Sequence, residues 1–393
     1  ITLITLTKNT LSRAATIRGS KLRPPPAQRG LNMEFGIFIP SARNGYIMSE
    51  TAPQYSPTYP HMREIIQTGE ANGFSFALSL SCLRGLGGTT GFWDDALESM
   101  TQMAALARDT TTMKLIGSVN VLAIHPAVAA RMAVTIDSIS EGRFILNIVP
   151  GGWHPKELEV MNVWPGYDYN HNRWQYAGEY CEVLHQLWET GVTNFHGDYF
   201  QYDDLRVGPR PPKHIEIVCA GTSKTAIEFT TRHADYAFRL AFGGKPALEK
   251  VMETFQAQIH NAGRTIKAYA ALGIVLADTD EQAQAKLRDF ETHPDVEAIR
   301  YMAAQASTDK SGGGTSDNIV NVDMPDAVRM STDFLAGSPA TIAAQLDEWA
   351  TVEGVAGYML IFPDYVEDIA RMGREVFPLM KNYTAPAAPA SAS

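Results

Sequence analysis

The chain has 393 residues, 45% of them hydrophobic and 19% charged, and carries a formal net charge of −10. That length suits one large barrel or two ordinary domains, and the negative balance argues against a nucleic-acid partner. Three scattered cysteines, Cys82, Cys181 and Cys219, are too few for a disulfide framework or a thiolate zinc site. No apolar run reaches the roughly 18 residues of a membrane helix, so a soluble protein of a reducing compartment is expected.

Residues 1–32 hold Lys8, Arg13, Arg18, Lys21, Arg23 and Arg29 and no acid, with three consecutive prolines at 24–26. They read as a basic leader outside the folded part, either a disordered arm or a transit segment. A cytoplasmic location is expected, with organelle import as the alternative if the leader is a transit segment. The folded part is expected to span 33–383. The remainder, 384–393 (TAPAAPASAS), reads as a disordered tail.

Short apolar runs suited to strands fall at 35–40, 74–80, 113–120, 144–149, 214–220, 234–240, 269–277 and 358–363. Helical patterns fall near 60–71, 95–108, 126–139, 173–190, 225–233, 246–262, 280–290, 341–351 and 366–380. Strands alternating with helices predict βαβ units and a parallel sheet. Eight such units in about 350 residues predict an α/β (β/α)8 TIM barrel, with a doubly wound sheet as the structural rival. Insertions are expected at 151–172, after the fourth strand, and at 306–339, before the last helix–strand unit. The second contains GGGTSDN and reads as a mobile lid or disordered loop. In a barrel the loops after the strands carry the active site.

The block RFILNIVPGGWHPKE (143–157) raises the sharpest question. Asn147 sits inside a buried apolar strand, where an unpaired amide costs about 1–3 kcal/mol. Its strand ends in Gly151 and Gly152, which let something approach the backbone closely. CAGTSKTA (219–226) ends a strand and opens a helix. There Gly221 permits close approach, and Thr222 and Ser223 can cap a helix whose free N–H groups favour an anion. From spacing alone a plain helix cap is the commoner explanation of that block. Ser338 and Pro339 read as a structural helix start. His125, His154 and His171 lack metal-ligand spacing, so no metal site is expected. Trp93, Trp153, Trp164 and Trp174 gather around the expected mouth and suit a planar ring ligand.

The arrangement resembles the bacterial-luciferase-like family of flavin-dependent monooxygenases, and within it the members that oxygenate pyrimidines. The likeness rests on TAPQYSPT (51–58), FALSLSCLRGLGGTTGFWDDALES (76–99), ARMAVTIDSISEGRF (130–144), VWPGYDY (163–169) and CAGTS (219–223), and runs from about residue 33 to 380. It implies a two-component reaction. A separate NAD(P)H:flavin reductase would supply reduced FMN (FMNH2), which with O2 opens a small planar heterocycle, uracil or thymine, to a ureidoacrylate. No G-x-G-x-x-G follows a strand to house a nicotinamide cofactor in this chain. By the same resemblance Asn147 and Ser118 orient oxygen. Ser81, Cys82, Asn147, Glu157, Arg173, Trp174, Gly221 and Ser223 contact the flavin, and the protein is a homodimer or homotetramer. The chain departs from the family pattern at Cys82 (a Lys in the relatives), Ser118 (Thr) and Trp174 (Tyr), and by the extra glycine of the 151–152 pair. These departures keep open another heterocycle, an amide, a sulfone or a sulfonate as substrate. A non-catalytic flavin-binding barrel is a further alternative.

Overall fold

The computed structural model describes residues 33–312 and 314–383; the basic leader and the Ala/Pro/Ser tail lie outside them. The first half of the chain runs β1 (Glu34–Ile39), α1 (Tyr59–Ala71), β2 (Phe76–Ser79), α2 (Ser99–Asp109), β3 (Lys114–Asn120), α3 (Pro126–Ile139), β4 (Phe144–Val149), α4 (Pro155–Val160) and α5 (Tyr169–Thr190). A short hairpin, β5 (Val192–Thr193) and β6 (Leu205–Arg206), follows. The barrel then resumes with β7 (Glu216–Ala220), α6 (Lys224–His233), β8 (Tyr236–Leu240), α7 (Lys245–Asn261) and β9 (Lys267–Leu276). The last part holds α8 (Asp280–Thr292), α9 (Val296–Ala306), α10 (Thr315–Val320), α11 (Met324–Val328), β10 (Phe334–Gly337), α12 (Pro339–Trp349), β11 (Val355–Ile361) and α13 (Tyr365–Arg371).

The expected eight strands pair in parallel in the order β11-β1-β2-β3-β4-β7-β8-β9, and β9 returns to β11, so the sheet closes. The closed parallel barrel excludes the doubly wound rival. Side-chain alternation sorts each strand into an inner and an outer face. Phe76, Leu78, Ile116, Ile145, Val218, Phe238, Tyr269 and Met359 fill the barrel interior as one cluster. Ile37, Leu115, Leu146, Ile148, Ile217, Leu272 and Leu360 face the helices in a larger one. Each such side chain contributes about 1.5–3 kcal/mol on full burial, which makes both layers indispensable.

Both expected insertions are present. The one after β4 carries α4. The other is not the structureless loop predicted for 306–339. It folds into α10, α11 and β10, and β10 pairs with the far half of β9, Phe334 opposite Gly273 through Gly337 opposite Leu276. Its helices have five and six residues, too short for a 3.6-residue period to show. The Ser338–Pro339 helix start was read correctly, since α12 begins at Pro339 with Ser338 as its cap residue.

Candidate active site

One cavity opens at the C-terminal end of the barrel, with a volume of about 270 Å³. A cavity of roughly 150 Å³ already admits benzene, so this one takes a larger ring system. Its walls come from the ends of β2, β3, β4, β7 and β8, from the loops after them, and from α10 and the residues before β10.

Asn147 and Ser118 face each other across β3 and β4, in register, one layer above Ile116 and Ile145. Their orientation is fixed by a chain of hydrogen bonds. Ser118 Oγ donates to the Ser79 carbonyl at 2.6 Å, so it can only accept from Asn147, whose Nδ2 lies 2.8 Å away. The Ser118 N–H donates to Ser99 Oγ, which donates in turn to the same Ser79 carbonyl. With its NH2 committed, the amide must turn Oδ1 the other way. That oxygen is buried and has no partner. The opening question about Asn147 thus has a structural answer: one half of the amide is anchored, and the other is an unpaid acceptor at the cavity wall.

The glycines after β4 answer the second question. Gly152 has φ +114°, and a Cβ there would lie 2.6 Å from Arg173 Nη1 and 2.7 Å from Asn170 Oδ1. The missing side chain is what lets the Arg173 guanidinium pass. Arg173, on α5, pairs with Asp309 at 2.6 Å and donates to Ser311 Oγ at 3.1 Å, so its fork is held by the insertion. Gly221, at the end of β7, has φ +137°, and a Cβ would meet Ala226 at 2.7 Å and the Trp174 ring at 2.8 Å. Ser223 caps α6, its Oγ accepting from the Ala226 N–H.

Of the nominated residues, Ser81, Ser118, Asn147, Arg173, Trp174, Gly221 and Ser223 line this cavity. Cys82 and Glu157 do not; they lie behind the wall and brace it. Cys82 Sγ sits 3.6 Å from the Arg84 carbonyl and 3.9 Å from that of Trp93, and burial pushes its thiol up to about 12. Glu157 accepts from the Leu83 N–H at 3.2 Å, and burial raises its carboxyl to about 7. Beside it His154 is driven down to about 4 by burial, so neither is charged between about pH 4 and 7 although they lie 3.7 Å apart. Trp93, Trp153 and Trp174 line the cavity and Trp164 does not. Among the described residues no group of three or more His, Cys, Asp or Glu side chains could hold a metal ion.

Sequence reasoning missed Asp309, the clamp on Arg173, and Arg239, a cavity-lining residue on β8 that is 1% exposed. The signal for Arg239 was present, since a lone arginine interrupts the apolar run of that strand.

The model for the luciferase-like monooxygenases matches residues 33–355. The chain belongs to that family. A pyrimidine monooxygenase RutA from a Bradyrhizobium species is 43% identical over 362 residues, which cover 91% of this chain and all of the relative. Among solved structures, a riboflavin lyase with modified FMN and riboflavin superposes with a TM-score of 0.77 at 19% identity, covering 91% of this chain and 94% of the other. A long-chain alkane monooxygenase does so with a TM-score of 0.73 at 18% identity, covering 88% and 90%. At such identities these two likenesses speak for the fold. Among the described residues no helix is long and apolar enough to cross a membrane.

Proposed function

We propose that this protein is a flavin-dependent monooxygenase that uses reduced FMN and O2 to open a pyrimidine ring, with uracil or thymine as substrate, a ureidoacrylate as product and a separate reductase as the source of FMNH2. The alignment with a pyrimidine monooxygenase along its whole length supports the substrate class. The observation that carries the chemistry is the anchored Asn147 amide, whose unpaired Oδ1 faces a cavity walled by tryptophans. A buried acceptor without a partner selects a ligand that brings an N–H, as a reduced flavin ring and a uracil ring both do.

The residues present fit a flavin. Gly221 leaves backbone room beside Trp174, α6 offers free N–H groups to an anion, and Trp174 Nε1 is a second unpaired polar atom. When bound, FMN would supply the oxygenation chemistry, which amino-acid side chains cannot. The protein's part is positional. Asn147 and Ser118 hold one polar contact at a fixed polarity, Ser81, Trp174, Gly221, Ser223 and Arg173 shape and hold the cofactor site, and the aromatic walls keep water out. Cys82 and Glu157 act through the loop they brace.

Aerobic turnover of uracil with FMN, NADH and a generic flavin reductase tests the reading, with product mass followed by liquid chromatography–mass spectrometry. Ring-opened product that requires this protein is the expected result. Intact uracil in the presence of bound FMN would remove uracil as the substrate.

A further inference from the structure

Trp93 carries a backbone conformation that a tryptophan merely filling a core does not need. Its φ is +61°, in the left-handed region, although the residue is only 7% exposed. A bulky residue there is strained, and such strain persists where the surroundings over-determine it, above all at ligand sites. Here they do over-determine it. The Trp93 N–H donates to the Arg43 carbonyl at 3.3 Å, and the indole Nε1 donates to the Gly45 carbonyl at 2.7 Å. Gly87 and Phe92 pair as an isolated bridge in the loop that leads to Trp93. The fully buried Asp295, at the start of α9, grips the same loop. It accepts from the N–H groups of Thr89 and Thr90 and from the Thr90 hydroxyl, at 2.7–3.2 Å.

The strained backbone delivers the indole to the cavity wall. There its ring centre lies 6.2 Å from that of Tyr46, edge-on, and Tyr46 stacks on Phe38 at 4.0 Å. This wall has no hydrogen to give. The Tyr46 hydroxyl donates to the Ile39 carbonyl at 2.8 Å, and the Trp93 indole N–H is spent on Gly45. A ring carbonyl turned toward it would be buried without a donor, which is costly. A uracil ring has one edge free of carbonyls and N–H groups, the C5–C6 edge. Its N–H groups have the unpaired Asn147 Oδ1 to go to.

We propose that Trp93 is a specificity residue that receives the C5 edge of the pyrimidine and sets the largest C5 substituent the cavity admits. This rests on the pyrimidine reading above. The residues assigned there to the cofactor stand on α5 and at the end of β7, whereas Phe38, Tyr46 and Trp93 stand on β1 and in the loops after β1 and β2. That wall is left for the second occupant.

The test is kcat/KM for uracil, thymine, 5-ethyluracil and 5-propyluracil, with the full chain, FMN and a flavin reductase, in wild type, Trp93→Ala and Trp93→Gly. Glycine adopts a positive φ without strain, so the second variant opens the same space on a relaxed backbone. Wild type should prefer uracil to 5-propyluracil by roughly 100-fold, and both variants should lower that preference by about 10-fold or more, whatever happens to the absolute rates. A purely structural tryptophan would lower all four substrates alike, so an unchanged preference in the folded variants overturns the proposal. Equilibrium binding to wild type with FMN present is an independent readout. Thymine should bind roughly 10-fold tighter than 5-hydroxyuracil, whose hydroxyl matches the methyl in size but is polar against a wall without a free donor. Equal binding, or tighter binding of 5-hydroxyuracil, overturns the proposal too, and this comparison decides the matter if neither variant folds. Uracil turned over without these preferences sinks the assignment of Trp93 alone. A chain that binds no pyrimidine sinks the pyrimidine reading and the assignment with it.

Discussion

Ser118→Ala severs the chain of hydrogen bonds that fixes Asn147. The Ser118 hydroxyl accepts from Asn147 Nδ2 at 2.8 Å and donates to the Ser79 carbonyl at 2.6 Å. In the alanine variant the Ser79 carbonyl keeps its bond from Ser99, but the Asn147 NH2 loses its acceptor in a site only 5% exposed. A buried donor left unmade costs about 1–3 kcal/mol. Taking about 2 kcal/mol, and roughly 2.1 cal/mol/K of unfolding entropy for each of about 350 ordered residues, the unfolding midpoint falls by about 3 °C. Turnover should fall further. Once Ser118 no longer specifies which end of the amide points where, Asn147 can present a donor to a ligand that needs an acceptor. Loss of one positioned polar contact at a reacting centre costs on the order of 100-fold in kcat. Ser118→Thr keeps the hydroxyl and should recover most of both losses. Differential scanning fluorimetry and uracil consumption measure the two effects. An unchanged midpoint and rate in Ser118→Ala, or a threonine variant as impaired as the alanine one, would refute the reasoning.

Gly152→Ala places a Cβ 2.6 Å from Arg173 Nη1 at φ +114°, so it should cost about 1–3 kcal/mol of backbone strain and displace the arginine; FMN titration should show weaker binding alongside a lower melting point. Glu157→Gln tests the buried carboxyl that burial raises from 4.5 to about 7. Across that interval the native state holds a proton that the unfolded chain has released, so this group's contribution falls as pH rises from about 4.5 to 7, by up to about 3 kcal/mol. Urea unfolding should therefore find Glu157→Gln gaining on wild type as pH rises from 4.5 to 8, and a pH-independent difference would count against the buried carboxyl. Asp309→Asn breaks a pair whose side chains are 9% and 3% exposed, a change worth roughly 3–5 kcal/mol when one buried partner remains charged. Because Asp309 belongs to the insertion, the loss should appear locally, as faster limited proteolysis within 306–320 at nearly unchanged global melting.

The barrel was legible because its signals are long. Seven of the eight barrel strands hold five to ten residues and most of the barrel helices ten or more, enough turns or alternations to show a period. The insertion before the last helix–strand unit was not, since α10, α11 and β10 hold six, five and four residues and their glycine-rich setting reads as loop. At the site, residues that matter through their own side chain and phase could be read. Asn147 stands out because an amide occurs on the inward face of an apolar strand. Cys82 and Glu157 could be placed near the site by position in the chain but not on its surface, because which way a loop residue turns is settled by tertiary contacts such as the Glu157 bond to Leu83.

The unpaired atoms together constrain the ligand more tightly than any one residue does. The cavity offers a fixed acceptor at Asn147 Oδ1 and a donor at Trp174 Nε1, and Arg239, one of its lining residues, has two buried guanidinium nitrogens without partners. Each is buried, so each left unmet subtracts from stability, and a ligand that meets all of them gains what the empty protein lacks. An acceptor set among ring-walling tryptophans calls for an N–H on a planar ring, and the unpartnered arginine calls for an anion. A molecule with a hydrogen-bonding ring system at one end and a phosphate at the other satisfies both demands. A neutral pyrimidine satisfies only the first. A pyrimidine that binds as the second occupant should bind more tightly when the cofactor is present, and by linkage it should raise the affinity for the cofactor by the same factor.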